Sequence, residues 1–236
     1  MIQQVPQAPI EQALARVGAL WAPRTAPHQL ILAQIRAGKT TLIKRLVSLR
    51  PGARVLILDP KLAHDEAWDD DPGGEHTWGK PVTEIGPGFG SEAEGGGPFG
   101  YWFRLIATPD LDATEHAFTR ALQVVQTEGH VILVIDDAKD VCRNHDMREL
   151  VGSVIRLGGS NAISAIVATQ ELSYIPRSQA AFKWVGHTGN LEAAAAAVKL
   201  LGRRGIGWQD AIAAIPQYQW CYYDDQPGNP GPVLVT

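Results

Sequence analysis

Residues 30–41 read LILAQIRAGKTT, an apolar run followed by Gly-Lys-Thr and then by a helix-forming segment that continues to Leu46. A buried strand, a tight loop and a helix in this order form the context of a phosphate-binding loop, or P-loop. In such a loop the backbone N–H groups and the positive helix end hold the phosphates. Ala33 stands where the pattern G-x-x-x-x-G-K-[ST] has its first glycine. The stretch predicts a nucleotide-binding protein.

Within this loop, we expect Lys39 to reach the β- and γ-phosphate oxygens and Thr40 to offer its hydroxyl to Mg²⁺. The cofactors predicted from the motif are therefore ATP and Mg²⁺. The residues expected to surround the nucleotide are Arg36, Ala37, Gly38, Lys39, Thr40 and Thr41.

Apolar strands alternate with helical segments along most of the chain, which is typical of an α/β fold with a mostly parallel sheet covered by helices on both faces. With one P-loop in 236 residues, a single domain over 1–236 is expected. We predict an N-terminal helical extension over 1–26, and a Gly/Pro-rich surface insertion over 69–100 with a short strand near 82–85. A terminal β-hairpin is predicted over 216–236.

The composition limits the possible functions. A net charge of −4 argues against a generally basic protein that coats nucleic acid. The two cysteines, Cys142 and Cys221, lack any ligand spacing, which favours a reducing compartment. No stretch approaches the roughly 20 apolar residues of a bilayer-spanning helix, so we expect a soluble protein with no transmembrane segment of its own.

Polar residues follow three of the apolar strands. Parallel strands place their carboxyl ends along one edge of the sheet, so Lys39, Asp136, Asp137 and Gln170 should meet in one crevice. Asp136 fits the Walker B aspartate that holds Mg²⁺. Asp137 is placed to polarise the attacking water, a role usually given to glutamate. Gln170 fits a polar sensor of the water or the γ-phosphate.

Several short motifs resemble the FtsK–HerA superfamily of DNA-pumping ATPases, within the RecA-like (ASCE) P-loop class. They are Pro27-His28 before the P-loop strand, Asp-Pro-Lys at 59–61, the apolar strand into Asp136-Asp137, and Ala-Thr-Gln at 168–170 preceded by 155–159. Their order and spacing match the family over about residues 27–190. The departures are Ala33 and Arg36 in place of P-loop glycines, Asp137 in place of glutamate, and Gly159 where many relatives have an arginine.

The resemblance implies a homo-oligomeric ring, usually a hexamer, with each nucleotide site between neighbouring subunits. An arginine of the adjacent subunit would then complete the site, a contribution typically worth 10³–10⁵ in rate. Arg156 is the candidate for this residue, and Arg143 and Arg148 are its competitors. A surface arginine on a helix is the alternative interpretation for each of them.

The implied activity is ATP hydrolysis coupled to translocation of double-stranded DNA. A bare ATPase core of this length resembles the genome-packaging ATPases of tailless, membrane-containing icosahedral viruses. Such a protein would dock on a capsid or membrane-vertex protein, in the host cytoplasm or on the virion. A plasmid or conjugative-element translocase is one alternative. A small-molecule P-loop kinase and a non-hydrolysing nucleotide-binding scaffold are alternatives from other classes.

Overall fold

The computed structural model describes residues 6–21, 27–50, 52–62, 80–89, 102–171, 179–226, 228–229 and 231–236. Within these ranges ten strands form one sheet: β1 (Gln7–Ala8), β2 (His28–Leu32), β3 (Arg54–Leu62), β4 (Lys80–Val82), β5 (Trp102–Ala107), β6 (Val131–Ile135), β7 (Ser164–Thr169), β8 (Ala180–Val185), β9 (Trp220–Asp224) and β10 (Val233–Val235). Their order across the sheet is β1-β10-β9-β8-β2-β7-β6-β3-β5-β4.

Seven α-helices accompany these strands in the described ranges: α1 (Ile10–Leu20), α2 (Lys39–Ser48), α3 (Leu111–Glu128), α4 (Ala138–Val141), α5 (His145–Gly158), α6 (Leu191–Leu200) and α7 (Gln209–Ala213). A short 3₁₀ helix spans Gly202–Gly205. No helix of these described ranges is both long enough and apolar enough to cross a membrane.

The core strands are buried on both faces, which explains their continuous apolar sequence. All five residues of β2 and all five of β6 are buried. Alternate side chains enter opposite cores: Leu30 and Leu32 pack with α3, α5 and α6, whereas Ile31 packs with α1 and α2. The predicted α/β fold with helices on both faces is confirmed.

The strand order explains how the candidate site is assembled. β7 pairs in parallel with β2 on one side and with β6 on the other. The end of β7 therefore lies between the P-loop, which follows β2, and Asp136-Asp137, which follow β6. β6 in turn pairs in parallel with β3, so the end of β3 joins the same edge.

The last strands form the predicted hairpin, since β9 and β10 pair antiparallel, and β9 also pairs antiparallel with β8. The chain start contributes to the same region, because β1 pairs in parallel with β10. A partly buried ion pair joins α1 to the hairpin: Arg16 Nε lies 2.6 Å from Asp224 Oδ2. The sequence did not predict β1, whose two residues are too few to carry a pattern.

The remaining differences from the sequence predictions are small. Helix α4 directly after Asp137 and the 3₁₀ helix at Gly202–Gly205 were not predicted. The strand expected near 82–85 is β4, an edge strand paired in parallel with β5. Most of the predicted insertion over 69–100 lies outside the described residues, and the proposed division of the chain into extension, insertion and hairpin stays a prediction.

Candidate nucleotide-binding site

The P-loop joins the end of β2 to the start of α2. Its turn contains two residues with positive φ, Arg36 (62°) and Gly38 (88°), and α2 begins at Lys39 directly after them. The loop is fixed to its neighbours, because the backbone N–H of Ala33 donates to Thr169 O (3.1 Å) and that of Gln34 to His187 O (3.0 Å). The positive end of a ten-residue helix therefore opens onto a loop held in place from both sides.

Lys39 lies folded over this loop. Its Nζ donates to Ala33 O at 3.0 Å and to Gln34 O at 2.8 Å. An ammonium has three donors, so one remains for a phosphate oxygen. Burial lowers the pKa of Lys39 below its ordinary value, and the nearby carboxylates of Asp136 and Asp137 oppose that shift.

Thr40 and Asp136 form a pair of oxygen ligands. Thr40 Oγ1 lies 3.3 Å from Asp136 Oδ2, and Asp136 is only 1% exposed. Hydroxyl and carboxylate oxygens are the hard donors that Mg²⁺ prefers, and Mg²⁺ is usually held by one or two protein groups plus waters and substrate phosphates. The pair predicted from the sequence is thus brought together with a donor set that fits this ion.

Asp137 and Gln170 also meet. Gln170 Nε2 donates to Asp137 Oδ2 at 3.0 Å, while the buried Oδ1 of Asp137 accepts no hydrogen bond from the described residues. Asp137 adopts a left-handed backbone conformation (φ 67°) at the start of α4, which turns the chain sharply after β6. One carboxylate oxygen is therefore held in position and the other is left as an acceptor.

A second buried carboxylate stands beside this pair. Asp59 is 1% exposed and accepts a hydrogen bond from the backbone N–H of Lys61 (3.1 Å), while Lys61 Nζ lies 3.7 Å from Asp136 Oδ2. Arg104 NH1 lies 3.9 Å from Asp59 Oδ2, beyond hydrogen-bond distance. Burial raises the pKa of Asp59 to about 6, and Asp136 adds to the rise, whereas the Lys61 backbone, the Lys61 side chain and Arg104 oppose it.

Most of these groups surround a cavity of about 550 Å³, whereas Asp59 and Arg104 are not among its lining residues. Its lining includes five of the residues predicted to surround the nucleotide, and Ala37 is absent from it because Ala37 is 1% exposed. The lining residues are Ile35, Arg36, Gly38, Lys39, Thr40, Thr41, Lys61, Asp136, Asp137, Asp140, Gln170 and Tyr218.

Sequence reasoning did not assign four of these residues to the site. Lys61 was part of a recognised motif, and its position after an apolar strand was an available signal. Asp140 lies one turn beyond Asp137, in a helix too short to predict. Ile35 and Tyr218 carry no local signal, and Tyr218 comes from the loop before β9.

The three candidate arginines lie outside the cavity. Arg156 stands on the last turns of α5, half exposed, with NH2 3.8 Å from Glu149 Oε2. Gly158, two residues later, packs against His28 at the first residue of β2. Since the P-loop follows the last residue of β2, Arg156 lies toward the opposite edge of the sheet. Arg148 donates to Cys142 O (3.0 Å), and Arg143 lies 3.7 Å from Asp140.

Ala33, which stands in place of a P-loop glycine, packs against a glycine of the neighbouring strand end, Gly186. Ala33 is 2% exposed, and a Cβ built on Gly186 would lie 2.9 Å from the Ala33 Cβ and 2.7 Å from the Trp220 ring. The glycine that follows β8 thus leaves the space that the Ala33 methyl group occupies. The substitution is accommodated by packing, with no displacement of the loop needed.

Comparison with solved structures gives the fold. The genome-packaging NTPase of Sulfolobus turreted icosahedral virus 2 superposes with a TM-score of 0.55 at 15% identity, over 89% of this chain and 96% of that one. The DNA-packaging ATPase of Sulfolobus turreted icosahedral virus gives a TM-score of 0.58 at 15% identity, over 85% and 93%. The type VII secretion ATPase EccC of Thermomonospora curvata gives 0.52 at 12% identity, over 90% of this chain but 24% of its own length.

No protein-family model matches the sequence, and no curated protein matches it. The likeness is therefore one of architecture, extending over nearly the full length of the two viral proteins. The chain shares the RecA-like α/β fold of these ATPases.

Proposed function

We propose that this protein is an ATP-driven double-stranded DNA translocase that packages a viral genome into a preformed capsid. The observation that carries the proposal is the convergence of Lys39, Thr40, Asp136, Asp137 and Gln170 on one cavity at the carboxyl edge of the sheet. The near-complete overlap in fold with two viral packaging NTPases supports the choice of DNA as the substrate and the capsid as the destination.

Thr40 and Asp136 are the residues that would hold Mg²⁺. When bound, the ion neutralises charge on the β- and γ-phosphates. The P-loop N–H groups and the third donor of Lys39 orient the phosphates. Asp136 keeps its carboxylate directed at Thr40, so the two oxygen ligands remain on one side of the cavity.

Asp137 positions and polarises the attacking water through its Oδ1. Gln170 fixes the other carboxylate oxygen, so Asp137 cannot rotate away from the water. The Asp137 side chain is one methylene shorter than that of glutamate, and it lines the cavity directly. Gln170 can also contact the γ-phosphate. The presence of the γ-phosphate would then be coupled to the position of Asp137 through Gln170.

A neighbouring subunit supplies the remaining positive charge. Arg156 lies away from its own cavity and is exposed, as a residue acting on an adjacent subunit must be. A closed ring, which we propose to be a hexamer, would bring it to the next site and enclose DNA at the centre. The ring would dock on a capsid or membrane-vertex protein, in the host cytoplasm or on the virion.

The first test is steady-state ATP hydrolysis by the purified protein with and without double-stranded DNA, with Lys39→Ala as the blank. We expect turnover that DNA stimulates and that Lys39→Ala abolishes. Nucleotide binding with no turnover under any condition, including in the presence of the capsid, would instead favour the nucleotide-binding scaffold. Phosphate transfer to a small molecule would favour the kinase.

A mixing experiment tests the trans arginine. Lys39→Ala subunits lack the P-loop lysine but keep Arg156, whereas Arg156→Ala subunits keep Lys39 but lack the arginine. If each site lies between two subunits, mixing two inactive variants should restore part of the hydrolysis, because some interfaces then carry both residues. Arg143→Ala and Arg148→Ala serve as matched controls. If one of them, and not Arg156→Ala, restores hydrolysis when mixed with Lys39→Ala, that arginine is the one that acts on the neighbouring subunit.

A further inference from the structure

Tyr218 has an unusual position in the loop between α7 and β9. Large apolar side chains are exposed at six places in the described part of the chain, and Tyr218 is the one aromatic ring among them, at 64% exposure. The others are aliphatic: Ile35, Leu111, Leu157, Leu191 and Ile206. The ring is therefore mostly open to solvent although the hydrophobic effect favours its burial.

The ring lies against the P-loop. A Cβ built on Gly38 would come within 2.9 Å of Tyr218 Cδ1 and 3.5 Å of its Cε1, so the edge of the ring touches the glycine that precedes Lys39. Trp220 lies behind the same glycine, with Cζ2 at 3.9 Å from that Cβ position. Tyr218 also lines the 550 Å³ cavity that contains Lys39, Thr40 and Asp136. One edge of the ring is anchored and the rest borders the cavity.

The backbone at Tyr218 is strained. Its φ is 65°, a left-handed conformation that a bulky residue rarely adopts and that glycine would adopt without cost. Strain of this kind persists where the surrounding structure or a function requires it, and it clusters at ligand sites. Packing gives no reason for an aromatic residue at this position, since Tyr218 remains largely exposed.

We propose that Tyr218 is the stacking platform for the nucleobase of the bound nucleotide. The inference rests on the proposed nucleotide-binding function and adds the base subsite to it. The phosphates lie along Gly38, Lys39 and Thr40, and the nucleoside extends from them toward the cavity wall formed by Tyr218. A tyrosine face binds any base by stacking, so this wall favours a nucleoside triphosphate over a bare triphosphate and discriminates little among bases.

The test compares two probes, MgATP and magnesium tripolyphosphate, by isothermal titration calorimetry. We expect Tyr218→Ala to weaken ATP binding about tenfold, since a base–aromatic stack lost on alanine substitution has this order of magnitude. Tripolyphosphate, which has no base, should bind both proteins equally. Tyr218→Phe keeps the π-face and should restore the ATP affinity of the wild type.

Tyr218→Gly separates the effect of the aromatic ring on ATP binding from the effect of backbone strain on stability. It lacks the ring, as Tyr218→Ala does, but relieves the left-handed backbone, so it should unfold about 2–4 °C higher than Tyr218→Ala. Its ATP affinity should nevertheless be as low as that of Tyr218→Ala. Ile206→Ala removes a comparably exposed apolar side chain outside the cavity lining and should leave both affinities unchanged.

The two-probe design distinguishes the possible failures. Equal losses for ATP and tripolyphosphate in Tyr218→Ala would mean that the ring only supports the P-loop, and would overturn the base subsite. Unchanged ATP affinity would overturn it as well. If the wild type binds neither probe, the proposed nucleotide-binding function fails, and the base subsite fails with it.

Discussion

Two buried aspartates, Asp224 and Asp59, lie in regions of the sheet with different functions. Asp224 in β9 is 0% exposed and accepts hydrogen bonds from Arg16 Nε (2.6 Å), the Tyr222 hydroxyl (2.7 Å) and the backbone N–H of Gln226 (3.0 Å). Burial acts to raise the pKa of Asp224, but these hydrogen bonds outweigh it and hold that pKa below its ordinary value.

Asp59 at the carboxyl edge is equally buried but less well bound. Its nearest cationic atom, Arg104 NH1, is 3.9 Å away, and a second carboxylate, Asp136, adds repulsion. Burial therefore dominates and raises the pKa of Asp59 to about 6. The same residue type at the same depth is stabilised as an anion in one place and destabilised in the other.

The difference separates a structural link from the surroundings of the candidate nucleotide-binding site. The Asp224 network is closed and joins α1 to the C-terminal hairpin. At the carboxyl edge, Arg104 NH1 lies 3.9 Å from Asp59 and Lys61 Nζ lies 3.7 Å from Asp136, and the pKa of Asp59 is raised, a perturbation that is common at functional sites. Of the five non-glycine residues with positive φ in the described ranges, Arg36, Asp137 and Tyr218 line the cavity, whereas His130 and Ala162 do not.

The largest expected effect is on rate. Asp137→Asn should lower the kcat for ATP hydrolysis about 10²–10⁴-fold, because the acceptor that polarises water is lost. The free energy of unfolding should not fall, since asparagine tolerates the left-handed backbone at least as well as aspartate. Steady-state kinetics and urea unfolding measure the two quantities. A kcat within tenfold of the wild type would remove Asp137 from the mechanism.

The next effect is on stability. Asp224→Ala should lower the free energy of unfolding by about 2–3 kcal/mol, because the buried Tyr222 hydroxyl and the Gln226 N–H lose their acceptor and Arg16 loses its partner. The kcat of the folded variant should be unchanged, the reverse of Asp137→Asn. The exposed pair Arg45–Glu11 (2.7 Å) is the matched control, and Glu11→Ala should have no measurable effect on unfolding. Loss of kcat in folded Asp224→Ala would break the division between the two regions.

The contributions of Asp59 and Asp224 to the free energy of unfolding should depend on pH in opposite directions. The folded pKa of Asp59, about 6, lies above its ordinary value of 3.8, so the wild type loses stability as pH rises between these values. We therefore expect the free energy of unfolding of Asp59→Asn to rise by about 2–3 kcal/mol relative to that of the wild type between pH 4 and pH 7. Urea unfolding at the two pH values measures this change.

For Asp224 the sign is reversed. Its folded pKa lies below the ordinary value, so its stabilisation is present at neutral pH and is lost only as pH falls below about 3.8. Asp224→Asn should show no relative gain between pH 4 and pH 7. Parallel pH profiles for the two variants would contradict the assignment of one aspartate to a site and the other to a link.

The smallest effect concerns strain. Arg36→Gly and His130→Gly each replace a residue of positive φ (62° and 52°), and each should raise the free energy of unfolding by about 1 kcal/mol. Because Arg36 lines the cavity and His130 follows α3 outside it, only Arg36→Gly should alter ATP affinity, as measured by calorimetry. Equal affinities in both variants would show that Arg36 contributes no phosphate contact.

Most of the strands and helices, and eight of the twelve residues that line the cavity, were predictable from the sequence. Strands β2, β3 and β6 were predictable because strands buried on both faces are continuous apolar runs, and the P-loop was predictable because its chemistry needs Gly-Lys-Thr between a strand and a helix. Lys39 and Thr40 were predicted from the P-loop motif, and Asp136, Asp137 and Gln170 from the rule that parallel strands end at one edge. The assignment of Arg156 stays a prediction, because it concerns a second subunit.

Which strand ends become neighbours could be read only from the folded sheet. The order β2-β7-β6 brings Gln170 against Asp137, Gly186 leaves the space that Ala33 occupies, and Tyr218 reaches Gly38 from 180 positions along the chain. Local sequence carries no trace of such contacts, because propensity and periodicity act over a few residues. Strand order and side-chain packing arise only when distant segments bury a common core.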